Sequence, residues 1–156
     1  METKLNSRDK KILIIGAISL VAIIFFFSQI SQQLKPKETT IIINGQKILA
    51  EMATTVEQQY QGLSGRNKLC ENCGMLFVFP DKQIQTFSMR NMNFPLDIVF
   101  IADNKIFKID PNLLPEGSNP QTAYPSELPV NYVLELNSGY TDKYNINVGD
   151  EIKFNF

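Results

Sequence analysis

Thr39-Thr40-Ile41-Ile42-Ile43-Asn44-Gly45-Gln46-Lys47-Ile48-Leu49-Ala50-Glu51-Met52 reads as two strands folded about a tight turn. Asn-Gly supplies the two positive φ angles of a type I′ turn, and strand-type residues flank it on both sides. Working toward the C-terminus, strand-like runs recur at 75–79, 84–90, 96–101, 105–109, 130–136 and 151–154. Turn residues separate them, most clearly Pro80-Asp81 and Asp103-Asn104. A short helix is expected after the hairpin. Thr54 with Glu57 forms a capping box, Val56 and Tyr60 share a face, and Gly62 can end the helix in the left-handed conformation. The stretch 137–149 has room for one further helical turn. Eight short strands with one or two short helices predict a mainly β fold, an antiparallel β-sandwich or partly closed barrel.

Working toward the N-terminus, the character changes. An unbroken apolar run occupies 12–27, and Lys4, Arg8, Lys10 and Lys11 precede it. Sixteen helical residues cover roughly 24 Å, and continuing to Ile30 closes most of the gap to a hydrocarbon core of about 30 Å. A cleaved signal peptide needs small residues two apart at its end, whereas Phe25-Phe26-Phe27-Ser28-Gln29-Ile30-Ser31 offers Phe and Gln. The expectation is therefore a single N-terminal transmembrane helix retained as a signal-anchor. Basic residues stay on the cytoplasmic side, which places the C-terminal part outside the cytoplasm. The organisation predicted is a cytoplasmic basic flank at 1–11, a cell-membrane anchor at 12–30, a spacer containing Pro36 at 31–38, and an extracytoplasmic β-domain at 39–156.

Composition removes several functions from consideration. From residue 39 onward there are nine Lys or Arg against thirteen Asp or Glu, a net charge of −4. Nucleic acid is not expected as a partner, because phosphate binding needs a basic face. The chain has no histidine, which excludes Ser-His-Asp and Cys-His catalysis within one chain and any His-based metal site. No metal and no cofactor are expected. Ser88 and Ser126 have no visible base and read as ordinary polar residues.

Several segments together resemble one family. They are Gly62-Leu63-Ser64-Gly65-Arg66, Gly74-Met75-Leu76-Phe77-Val78-Phe79-Pro80, Phe87-Ser88-Met89-Arg90-Asn91-Met92 and Pro95-Leu96-Asp97-Ile98-Val99-Phe100-Ile101. Tyr132-Val133-Leu134-Glu135-Leu136-Asn137 with Gly139, and Gly149-Asp150, complete the set. In this order they resemble the domain-of-unknown-function 192 family from about Ile48 onward. The resemblance implies a mainly β sandwich or barrel, often exported or membrane-anchored, and it implies no chemistry. The chain also departs from the family pattern, in which Trp is usual at Ser88, Lys at Arg90 and Thr at Met92.

Cys70-Glu71-Asn72-Cys73 holds the only two cysteines, and outside the cytoplasm a disulfide is their default state. A closed loop of four residues stabilises by about 2 kcal/mol in the chain-entropy model, a local staple. Thiol-disulfide exchange is the sharper reading, but it wants a helix N-terminus, and here Gly74 leads into a strand. A zinc site shared by two chains, each supplying its two cysteines, is the third alternative. Asp97 lies on a strand apolar on both faces, so its carboxylate requires a cation or several hydrogen bonds. Within the matching motifs Arg66 and Arg90 are the available partners, as a structural brace or as part of a ligand site. Glu135 either is solvated or lines the same pocket as Asp97. The stripe Phe77, Phe79, Phe87, Met89 and Phe100 reads as core. Five prolines between Asp110 and Pro129 mark a long connection, functional or an ordered edge cover.

The leading expectation is a membrane-anchored extracytoplasmic domain that binds an unidentified ligand or protein partner, with Arg66, Arg90, Asn91, Asp97 and Glu135 as candidate binding residues. The alternatives are a carboxylate-based hydrolase, or a redox protein using Cys70 and Cys73.

Overall fold

The computed structural model describes residues 6, 8, 13, 16–26 and 36–155. Two units separate at residue 35. In the N-terminal unit residues 16–26 are helical, with Ile18, Leu20, Val21, Ile23, Ile24, Phe25 and Phe26 all exposed. Among the described residues no helix is long and apolar enough to cross a membrane. Both ends of the expected anchor, most of the basic flank and residues 31–35 of the spacer lie outside the described residues.

The C-terminal unit is mainly β. Strands β1 (Glu38–Ile43) and β2 (Gln46–Ala53) form the hairpin read from the sequence, with Asn44 and Gly45 at φ 49° and 79°. Helix α1 (Val56–Gln61) follows, starting one residue later than the Thr54–Glu57 box predicts. Thr55 is the cap because Gln58 Oε1 accepts the amides of both Thr54 (2.9 Å) and Thr55 (3.1 Å). Gly62 closes the helix at φ 49° and ψ −136°, outside the left-handed helical region expected and in one that only glycine adopts readily.

Strand β3 (Cys73–Gln83) then runs parallel to β2. This corrects the expectation of a wholly antiparallel fold. The connection through α1 is long enough for a crossover, and a parallel pair needs one of that length. Pro80 and Asp81 lie within β3, at an irregularity between Val78 and Gln83, so they do not form the separating turn expected. The predicted strand 84–90 shrinks to β4 (Thr86–Phe87), which pairs with β7 (Tyr124–Pro125) in a two-stranded flap. Strand β5 (Leu96–Ala102) turns at Asp103 and Asn104 into β6 (Lys105–Leu113). Pro111 is tolerated in β6 because β6 is an edge strand. Strand β8 (Val130–Asn137), helix α2 (Tyr140–Lys143) and β9 (Ile152–Asn155) complete the chain.

Seven strands make one sheet in the order β6-β5-β8-β3-β2-β1-β9. The sheet curls until its edges meet, with Ile106 donating to Asp150 O (3.0 Å) and Ile152 to Asn104 O (2.8 Å). It is a partly closed barrel, and a two-sheet sandwich is excluded. One core fills the inside of the curl, joining Ile106 of β6 to Ile152 of β9 through Ile41, Leu76, Val99 and Leu134. A second core lies on the outer face of β3, β5 and β8, where Leu63, Met89 and Met92 cover Met75, Phe77, Ile98, Phe100 and Val133.

Candidate functional site

Alternation along β5 and β8 sends the two candidate carboxylates to opposite faces. Glu135 stands across from Ile98, and Asp97 across from Leu136, so Asp97 points to the inner core and Glu135 to the outer one. They do not share a pocket.

Asp97 is fully buried and fully satisfied. Its Oδ1 accepts the amides of Asn112 (2.9 Å) and Gly139 (3.0 Å), and its Oδ2 accepts the amide and hydroxyl of Thr141 (2.9 and 2.7 Å). The arginine partner expected is therefore absent. The end of β6 and the first turn of α2 supply the donors instead, which makes Asp97 a brace between three elements. Four donors are enough to hold a buried carboxylate without a counter-ion.

Arg66 pairs with Glu51, in a bidentate contact of 2.5 and 2.7 Å. That contact holds the Glu51 carboxyl below its ordinary range and raises the guanidinium. Arg90 lies over the Tyr60 ring, 4.3 Å from its centroid, and donates to Tyr60 O at 2.9 Å. Asn91 is a positive-φ junction at 54° whose carbonyl accepts from Gly65 and whose amide donates to Gly117. Its exposed side chain does not line a cleft with the others.

Of the five candidates, Arg90 and Glu135 come together. They line a cleft of about 390 Å³ on the outer face, between α1 and the β4 flap. Its apolar wall is Phe77, Phe79, Phe87 and Tyr60, and its polar lining includes Gln59, Ser64, Thr86 and Ser88. Phe77 and Phe87 meet edge to face at 4.8 Å. The aromatic stripe is thus divided: Phe77, Met89 and Phe100 are core, while half-buried Phe79 and Phe87 form wall. Ser88 and Tyr60 belong to the cleft although their sequence context gives no sign of it. Only the position of the flap against α1 brings them there.

Glu135 is the unusual group in this cleft. It is 5 % exposed, and its Oε2 has no hydrogen-bond partner. Burial pushes its carboxyl up to about 8, against the smaller opposing pull of the Arg66 charge. At neutral pH it therefore carries a proton and no charge.

Elsewhere, Cys70 and Cys73 are joined in a disulfide with Cα atoms 5.1 Å apart. Cys73 opens a strand, and Asn137 Nδ2 clamps the loop by donating to Cys70 O at 2.8 Å. Ser126 is buried and holds the flap together, donating to Leu128 O and accepting from the Gln85 amide. The proline-rich connection is an ordered cover, with Glu116 accepting from Gln121 and Thr122. Among the described residues no three His, Cys, Asp or Glu side chains are grouped to hold a metal ion.

Fold and cleft together define a class: a curled half-barrel of mainly β structure, with a small ordered flap on its outer face. The chain belongs to the DUF192 family, described as "Uncharacterized ACR", whose model matches residues 39–154. Solved structures similar to it include two at 30% identity. One is a Sinorhizobium meliloti 1021 protein described as a candidate transcription regulator, at 30% identity and a TM-score of 0.72, covering 78% of this chain and 96% of the other. A protein of unknown function from Novosphingobium aromaticivorans DSM 12444 is also 30% identical, with a TM-score of 0.68, covering 74% and 84%. No curated protein matches the sequence.

Proposed function

We propose that this chain is a membrane-anchored binding protein whose extracytoplasmic domain takes a ligand in the cleft between α1 and the β4 flap. One observation carries the reading. A carboxylate with an unpartnered oxygen is buried in a cleft with aromatic walls, and binding sites characteristically combine an apolar lining with a few placed polar groups. The apolar N-terminal segment supports the anchor, and the disulfide suits an oxidising compartment. Transcription regulation, the description of the Sinorhizobium neighbour, has less support in a domain of net charge −4.

A hydrolase draws support from Glu135 alone, since a carboxyl pushed to about 8 suits a general acid. Asp97, the second carboxylate expected for such chemistry, is held on the other face.

Filling the cleft tests the reading. Ser88→Trp places an indole against the aromatic wall. In a ligand-observed screen of small aromatic and polar fragments on the full chain in nanodiscs, the parent should bind a subset that Ser88→Trp no longer binds at unchanged melting temperature. Equal binding to both would contradict the cleft as the site. A C-terminal alkaline phosphatase fusion should be active if the domain lies outside the cytoplasm.

A further inference from the structure

We infer that the ligand of this cleft presents an organic ammonium group, held by Glu135 at the floor with its carbon skeleton against Phe77, Phe79 and Phe87. This rests on the cleft being the binding site.

An unpaired buried acceptor stands in a cleft with aromatic walls. The charged groups around Glu135 are Arg66, from the connection between α1 and β3, Glu51 of β2 and Arg90 at the mouth. From β3 and β5 only apolar Met75 and Ile98 stand directly across from it. Arg66 already spends its guanidinium on both oxygens of Glu51. Arg90 is turned onto the Tyr60 ring and carbonyl. Glu51 is therefore satisfied by Arg66, and Arg90 by a ring and a carbonyl, while the Oε2 of Glu135 has no hydrogen-bond partner. Burial favours the protonated form of Glu135 when no guest supplies a counter-charge. An ammonium in place of that proton brings a charge directly beside the carboxylate and adds donors for the orphaned Oε2. Aromatic walls suit the same guest, because ring faces attract cations and cover an alkyl or aryl skeleton.

Binding is then an exchange. The ammonium enters as Glu135 releases its proton to solvent, so apparent affinity is limited by the ionised fraction of Glu135. It should rise about tenfold per pH unit up to about pH 7, bend near pH 8 and level off above it.

The test uses the full chain in nanodiscs with methyl-labelled methionine. Met92 lines the cleft and Met75 faces Glu135, so their methyl resonances report occupancy. Three matched probes are titrated from pH 6 to pH 9: phenethylamine, phenylacetate and 2-phenylethanol. Saturable shifts with phenethylamine alone, tightening about 50-fold from pH 6 to pH 8, support the assignment. Glu135→Gln should lose that affinity and its pH slope while keeping the methionine spectrum of a folded domain. If the variant fails to fold, the slope in the parent decides. Cleft shifts with phenylacetate or 2-phenylethanol in place of the amine would overturn the ammonium assignment and leave the cleft as a site. Amine affinity unchanged by pH or by Glu135→Gln, or no saturable shift with any probe, would overturn the assignment as well.

Discussion

Asp97 and Glu135 are carried into the interior by neighbouring strands, one position apart in register, and meet opposite conditions. On the inner face four donors converge on Asp97, from residues 15 to 44 positions away in sequence. On the outer face Glu135 has an oxygen with nothing to accept from. Both are buried acids, but only the first is accounted for by the fold. A carboxylate that the protein satisfies itself is a fastening; one that it leaves open is a place for something else.

The largest effect should come from the fastening. Asp97→Ala leaves the Asn112, Gly139 and Thr141 donors unpaired in a buried site and loosens the end of β6 and the start of α2. Denaturant titration should show a loss of about 3–5 kcal/mol, or no cooperative fold at all. A loss under about 1 kcal/mol would mean that the four contacts are not maintained in solution.

Matched amide substitutions sharpen the contrast by reversing its sign. Asp97→Asn turns an NH₂ toward two donors and should destabilise by about 2 kcal/mol. Glu135→Gln should stabilise, and increasingly so as pH rises. The folded chain keeps a proton on Glu135 up to about pH 8, whereas the unfolded chain gives it up near 4.5. The contribution is fully present below pH 4.5 and is lost as pH rises through 8. Between pH 5 and pH 9 the parent should lose about 4 kcal/mol relative to Glu135→Gln. Parallel stability curves for the two proteins would break the comparison.

Reducing the disulfide provides an intermediate effect common to both faces. The loop it closes precedes β3, which carries Leu76 into the inner core and Phe77 into the outer. A loss of about 2 kcal/mol, equal in the parent and in Glu135→Gln, is expected from denaturation with and without reductant.

The smallest change in stability should follow Arg66→Gln. Its pair with Glu51 is about a third exposed on the arginine side, so solvent screening limits the loss to about 1 kcal/mol. The informative readout is electrostatic. Removing the one charge that holds Glu135 down should move its titration higher still. A downward move would show that Arg66 does not act on it.

The contrast between the two acids was only half legible in the sequence. Asn44-Gly45 announced the hairpin, and alternation in 96–101 and 130–136 located two central strands and both carboxylates. The need of Asp97 for partners was also readable, because Leu96, Ile98, Val99 and Ile101 left it no solvated face. Who those partners were was not. Arg66 and Arg90 looked suitable by charge, yet both belong to the outer face, and backbone amides of Asn112, Gly139 and Thr141 carry no side-chain signature. The parallel pairing of β2 with β3 was hidden for a related reason, since chain direction depends on a crossover that local pattern does not record. The cleft was least visible of all. Tyr60, Ser88 and Phe87 become neighbours only when the short β4 flap settles beside α1, and a two-residue strand leaves almost no trace in the sequence.

The unsatisfied acid is the centre of this account, and its titration can be read directly. Carboxyl-carbon NMR of the full chain, with Glu135 assigned by comparison with Glu135→Gln, should give a midpoint near pH 8. A midpoint near 4.5 would show that Glu135 is solvated or paired, and would contradict both the open carboxylate and the site built upon it.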